Sequence, residues 1–69
     1  MNISVFKTSI KQEDIKHVNS ILRMIAPNCI WDFDLEDCDH ILRVQSETNI
    51  NELVCFHLKI DGFICEELN

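Results

Sequence analysis

The apolar positions at the start of the chain, Ile3, Val5, Phe6 and Ile10, are broken by polar ones, and the β-branched and aromatic content of residues 3–8 predicts a strand. Ser9-Ile10-Lys11-Gln12 then carries a Ser-x-x-Gln signature of the kind that caps a helix start. Over residues 13–26 the apolar side chains Ile15, Val18, Leu22 and Ile25 recur at intervals of three and four, one stripe of a helix. Glu13 and Asp14 suit its N-terminal dipole, and Pro27, the only proline, stops it. Residues 29–35 change period: Cys29, Trp31, Phe33 and Leu35 fall on one face and Ile30, Asp32 and Asp34 on the other, as in a half-buried strand. Glu36-Asp37-Cys38-Asp39 reads as a turn, and Ile41, Leu42 and Val44 mark a third strand paired with the second as a hairpin.

A second helix is expected over about 50–60, capped by Thr48 or Asn49, with Gly62, the only glycine, at the left-handed C-terminal cap. Residues 63–67, apolar at Phe63, Ile64 and Cys65, suit a short last strand. The order β-α-β-β-α-β predicts one α+β domain over residues 1–69. Its arrangement is ferredoxin-like, a four-stranded antiparallel sheet with both helices on one face. That frame hosts many unrelated activities, so function has to be read from sites.

The stretch Phe6-Lys7-Thr8-Ser9-Ile10-Lys11 resembles the start of the heavy-metal-associated, copper-chaperone-like domains. In that family the first strand ends in a loop with a buried apolar residue, followed two positions later by Cys-x-x-Cys. Ile10 matches the apolar residue. Trp31-Asp32-Phe33-Asp34-Leu35 is similar to the family's second strand, Ile41-Leu42-Arg43-Val44 to its third, and Gly62-Phe63 to the approach to its last. Carried over position by position, the two family cysteines fall on Gln12 and Ile15. Soft Cu(I) is held by thiolates, whereas Gln12 offers a neutral amide and Ile15 no donor. The resemblance therefore implies the family's frame without its metal site and with no cofactor. Ile15, in register with Val18, Leu22 and Ile25, is expected to pack inward.

Charge and size narrow the function classes. A domain of 69 residues leaves little interior for an enclosed active site, so an enzyme is not expected. The net charge of −6 opposes phosphate backbones and anionic lipid, which argues against nucleic acid as a partner. No apolar run reaches transmembrane length and the first residues lack a signal-peptide core, so no membrane insertion and a cytoplasmic location are expected. Cys29, Cys38, Cys55 and Cys65 contain no Cys-x-x-Cys spacing and are expected to be reduced thiols.

Three constellations remain. Cys38-Asp39-His40 sets a thiol and an imidazole two residues apart in the turn at the same end as the Ser9–Gln12 loop, a lesser alternative metal site, against which an ordinary acidic turn weighs heavily. His17 and His57 read as hydrogen-bonded imidazoles with no nucleophile at a telling spacing. On the second helix, Ile50, Leu53, Val54, Phe56, Leu58 and Ile60 spread over roughly 200° of arc, wider than one buried stripe needs. That surplus points either to a protein partner or a homodimer, or equally to deep burial against the long Trp31 and Phe33 side chains. The expected role is a small non-enzymatic interaction module, the alternative being metal handling through Cys38 with His40 or a cysteine shared across a dimer.

Overall fold

A computed structural model describes residues 2–68. Strand β1 (Asn2–Thr8) turns Ser4, Phe6 and Thr8 to one face and Ile3, Val5 and Lys7 to the other, the consequence of a two-residue side-chain period. It pairs antiparallel with β3 (Ile41–Ser46), Phe6 opposite Leu42 and Ser4 opposite Val44. β3 in turn pairs antiparallel with β2 (Ile30–Asp34), which sets Trp31 beside Val44 and Phe33 beside Leu42. β4 (Cys65–Leu68) runs antiparallel along the other side of β1, Cys65 opposite Thr8. The strand order is β2-β3-β1-β4.

Helix α1 (Ile15–Ile25) connects β1 to β2, and α2 (Asn51–Ile60) connects β3 to β4. Both cover the same face of the sheet. Val18 and Leu22 of α1 and Val54 and Leu58 of α2, each an i, i+4 pair, meet Phe6, Ile10, Leu42, Val44 and Cys65 in one buried cluster. The result is the ferredoxin-like α+β arrangement expected from the element order. No helix among the described residues is long and apolar enough to cross a membrane.

The opposite face of the sheet carries no helix and is polar in its middle. Arg43 Nε donates to Asp32 Oδ1 across the β2–β3 register at 2.9 Å. Ile41 is buried on this face between its register neighbours Lys7 and Asp34. Ile3 and Ile30 are exposed, on either side of Gln45.

Local chemistry departs from expectation at three places. Ser9 does not cap the first helix. Its hydroxyl accepts the Ile64 N–H at 2.9 Å, while the helical turn opens with a 3-10 segment, Gln12–Asp14, in which Asp14 Oδ2 accepts the Lys11 N–H at 2.9 Å. The last strand starts at Cys65 and not at Phe63, because the N–H groups of Phe63 and Ile64 are already taken, by Leu58 O and Ser9 Oγ. Phe63 donates to Leu58 O and Gly62 to Lys59 O, the paired bonds of a Schellman cap, and Gly62 sits at φ +93° as that cap requires. Ile15 stands outside the buried cluster. The inward stripe of α1 is Val18 and Leu22 flanked by Ile21 and Ile25, and Ile15 is half-buried one turn earlier, where it lines a cleft with Phe33 and Asp34 of β2.

Candidate functional site

Two regions bear on function, the loop end and the outer face of α2. At the loop end, the β1 terminus is knitted to the β2–β3 turn. Thr8 N donates to Asp39 O at 3.0 Å, Thr8 Oγ1 donates to His40 O at 2.6 Å and also accepts the Ile10 N–H at 3.1 Å. Ile10, the residue matched to the family's apolar loop position, is fully buried beneath these bonds.

His40 adopts φ +46°, which turns its ring back toward that loop, with Nδ1 2.5 Å from Ile10 O. A carbonyl oxygen only accepts, so Nδ1 carries the proton and the neutral ring keeps its lone pair on Nε2. Cys38 is exposed, its sulfur 4.0 Å from Asp39 Oδ1. The donor atoms that lie within 4.8 Å of one another belong to Asp37, Cys38 and Asp39. Two of these have turn duties already: Asp37 Oδ1 accepts the Asp39 N–H at 2.8 Å, and the Asp39 carboxylate faces Lys7 Nζ at 3.8 Å. Thus Cys38 and His40 share a turn, but the imidazole's Nδ1 is committed to holding it closed.

Gln12 is exposed in the 3-10 turn, and with Lys11, Ile15, Phe33, Asp34, Leu35, Glu36 and His40 it lines a shallow cleft of about 410 Å³. Its walls offer the carboxylates of Asp34 and Glu36, the Gln12 amide, the His40 imidazole, the Lys11 ammonium and apolar carbon, with no thiol among the lining residues.

The outer face of α2 is different in kind. Val54 and Leu58 are fully buried, and Ile50 and Cys55 pack against the core. Leu53, Phe56 and Ile60 lie on the other side, 40%, 58% and 67% exposed. At i, i+3 and i+7 they fall within roughly 60° of helical arc, a single apolar stripe turned to solvent. Ile50, Leu53 and Phe56 also line an open cleft of about 770 Å³ with Asn49, Asn51, Glu52 and Glu67. The surplus seen in the sequence is therefore exposed and not absorbed by Trp31 and Phe33, which are half-buried at the far edge of the sheet.

The remaining histidines have structural surroundings. His17 is half-exposed and pairs through Nε2 with the Asp61 carboxylate just beyond α2, joining the two helices. His57 packs edge-on to Phe56, ring centroids 5.5 Å apart.

One juxtaposition has no counterpart in the sequence motifs: Cys55 of α2 and Cys65 of β4 bring their sulfurs to 3.1 Å. The signal for it is the helical cap. Seven helical residues back from Gly62 cover about 10 Å, and three extended residues forward cover the same distance, so the cap folds the two thiols together. Burial raises the Cys65 thiol well above the ordinary thiol range, the hydrogen bond and charge of Cys55 add to this, and Lys59 opposes it weakly.

Comparison with protein-family models, with curated proteins and with solved structures finds no match for this chain.

Proposed function

We propose that this chain is a non-enzymatic interaction module, built on a frame resembling a heavy-metal-associated domain without its cysteine pair, and that it docks a protein through the outer face of α2. The observation that carries the reading is the Leu53, Phe56 and Ile60 stripe, three large apolar side chains in one line on a helix whose opposite side already fills the core. An apolar face of this kind loses unfavourable contact with water when a partner covers it.

Charge selects the partner. Glu52 and Glu67 line the cleft with Leu53 and Phe56 on a chain of net charge −6, which favours an apolar segment flanked by lysine or arginine over a second copy of the same acidic surface. The degenerate loop supports the same reading, since Gln12 and Ile15 supply no thiolate to the cleft they line. A cytoplasmic location goes with this reading. The rival, a metal handled by Cys38 with His40 or by a cysteine shared across a dimer, has less support: His40 keeps Nε2 as a possible donor, but the donor atoms gathered in this turn are those of Asp37, Cys38 and Asp39, and His40 is not among them.

The test is affinity capture from the native cell lysate with the wild-type chain, Phe56→Glu and, on the helix-free sheet face, Ile30→Glu. A central aromatic anchor accounts for about 2 kcal/mol or more of binding, so Phe56→Glu is expected to lose a basic partner by roughly 30-fold while Ile30→Glu keeps it. A partner retained by Phe56→Glu and lost by Ile30→Glu moves the interface to the sheet. Concentration-dependent sedimentation abolished by Phe56→Glu replaces the basic partner with a second copy.

A further inference from the structure

We propose that Cys55 and Cys65 form a dithiol redox site, which a low-molecular-weight disulfide such as glutathione disulfide converts to an intramolecular disulfide joining α2 to β4. The sulfurs are in contact at 3.1 Å, and a covalent S–S bond of about 2.05 Å needs them to approach by only about 1 Å. The elements that carry them are held together independently: Asn51 Nδ2, one turn before Cys55, donates to Glu67 Oε2, two residues after Cys65, at 2.6 Å. Gly62 and Phe63 fix the intervening turn through their bonds to Lys59 and Leu58. Closure therefore starts from two elements that are already held in place on both sides of the pair.

The two thiols differ in access, and that sets the order of steps. Cys55 is half-buried at the edge of α2, whereas Cys65 is 2% exposed. The Cys55 thiol loses its proton and attacks one sulfur of the disulfide, expelling a thiolate that takes up a proton and leaving a mixed disulfide on Cys55. Cys65 then attacks Cys55 Sγ, its proton passing to the departing small thiolate, which leaves as the second thiol. Two protein thiols are oxidised and one small disulfide is reduced to two thiols. The product is neutral, which suits a site where burial disfavours the Cys65 thiolate. Cys29 is half-buried and Cys38 exposed, and neither is brought to another sulfur in this way.

The experiment equilibrates the purified chain in glutathione buffers of increasing oxidised fraction, quenches with an alkylating reagent and reads the mass and the peptide map. The expected result is the simultaneous loss of two alkylation sites, at Cys55 and Cys65, with no glutathione bound at either. In Cys65→Ser the reaction stops at a glutathione adduct on Cys55, and in Cys55→Ser, a change at a half-exposed position that serves if Cys65→Ser unfolds, the remaining thiol at 65 stays alkylatable after unfolding. Four alkylated cysteines in the most oxidising buffer overturn the proposal. So does a disulfide that includes Cys29 or Cys38 in place of this pair.

Discussion

The indole N–H of Trp31 donates to the side-chain carbonyl of Asn19 at 2.9 Å, tying edge strand β2 to the middle of α1. Trp31 is only half-buried, because β2 has a neighbour on one side alone. Replacing Asn19 by Leu leaves a partly buried donor without its acceptor, a loss of about 1 kcal/mol. Urea unfolding should show that decrease, with tryptophan emission shifted to the red as the ring gains water. Unchanged emission and midpoint would mean that the bond holds nothing.

Gly62 isolates a backbone effect. A Cβ added there meets nothing within 4 Å, so Gly62→Ala costs only the strain of holding φ +93°, about 1–2 kcal/mol. In a domain this small, thermal unfolding should fall by at least about 4 °C, and Gly62→Asn should fall less.

The two sides of α2 should respond in opposite ways. Leu58→Ala opens a cavity among fully buried side chains and is expected to cost about 2–5 kcal/mol. Phe56→Ser removes an exposed ring and is expected to stay within about 0.5 kcal/mol of wild type. A large destabilisation by Phe56→Ser, measured by denaturant unfolding, would make that ring part of the fold and remove the reason to call its face a docking surface.

At the loop end, the Ile10 carbonyl fixes the His40 tautomer. Long-range proton–nitrogen NMR should find the proton on Nδ1, and a stoichiometric addition of Zn(II) should leave the His40 resonances in place. A shift of both His40 nitrogens at one equivalent of zinc, with Cys38 signals moving alongside, would restore the metal reading of this turn.

Much of the frame was legible because it follows from local chemistry. The alternation at Trp31 and Phe33, the three-four spacing of Val18 and Leu22, and the left-handed position of Gly62 each depend on neighbours in sequence, and each element formed where its pattern lay. What was not legible depends on contacts between distant segments. Ser9 looks like a helix cap until Ile64, 55 residues away, claims its hydroxyl. Ile15 is in phase with the core stripe but stays half-buried, lining the loop-end cleft with Phe33 in place of joining the core cluster. Cys55 and Cys65 have no motif spacing and meet because a capped helix and a strand return at matching distances from Gly62. The excess apolar arc of α2 was visible in the sequence, but only packing could divide it into Val54 and Leu58 inside and Leu53, Phe56 and Ile60 outside.

The most direct measurement of the central claim is photo-cross-linking in native cells, with a photoreactive side chain at position 56 and, as a control, at the exposed position 32. A docking face on α2 predicts one dominant adduct from position 56, mapped to an apolar segment flanked by lysine or arginine, and little from position 32. Equal, diffuse labelling from the two positions would contradict it.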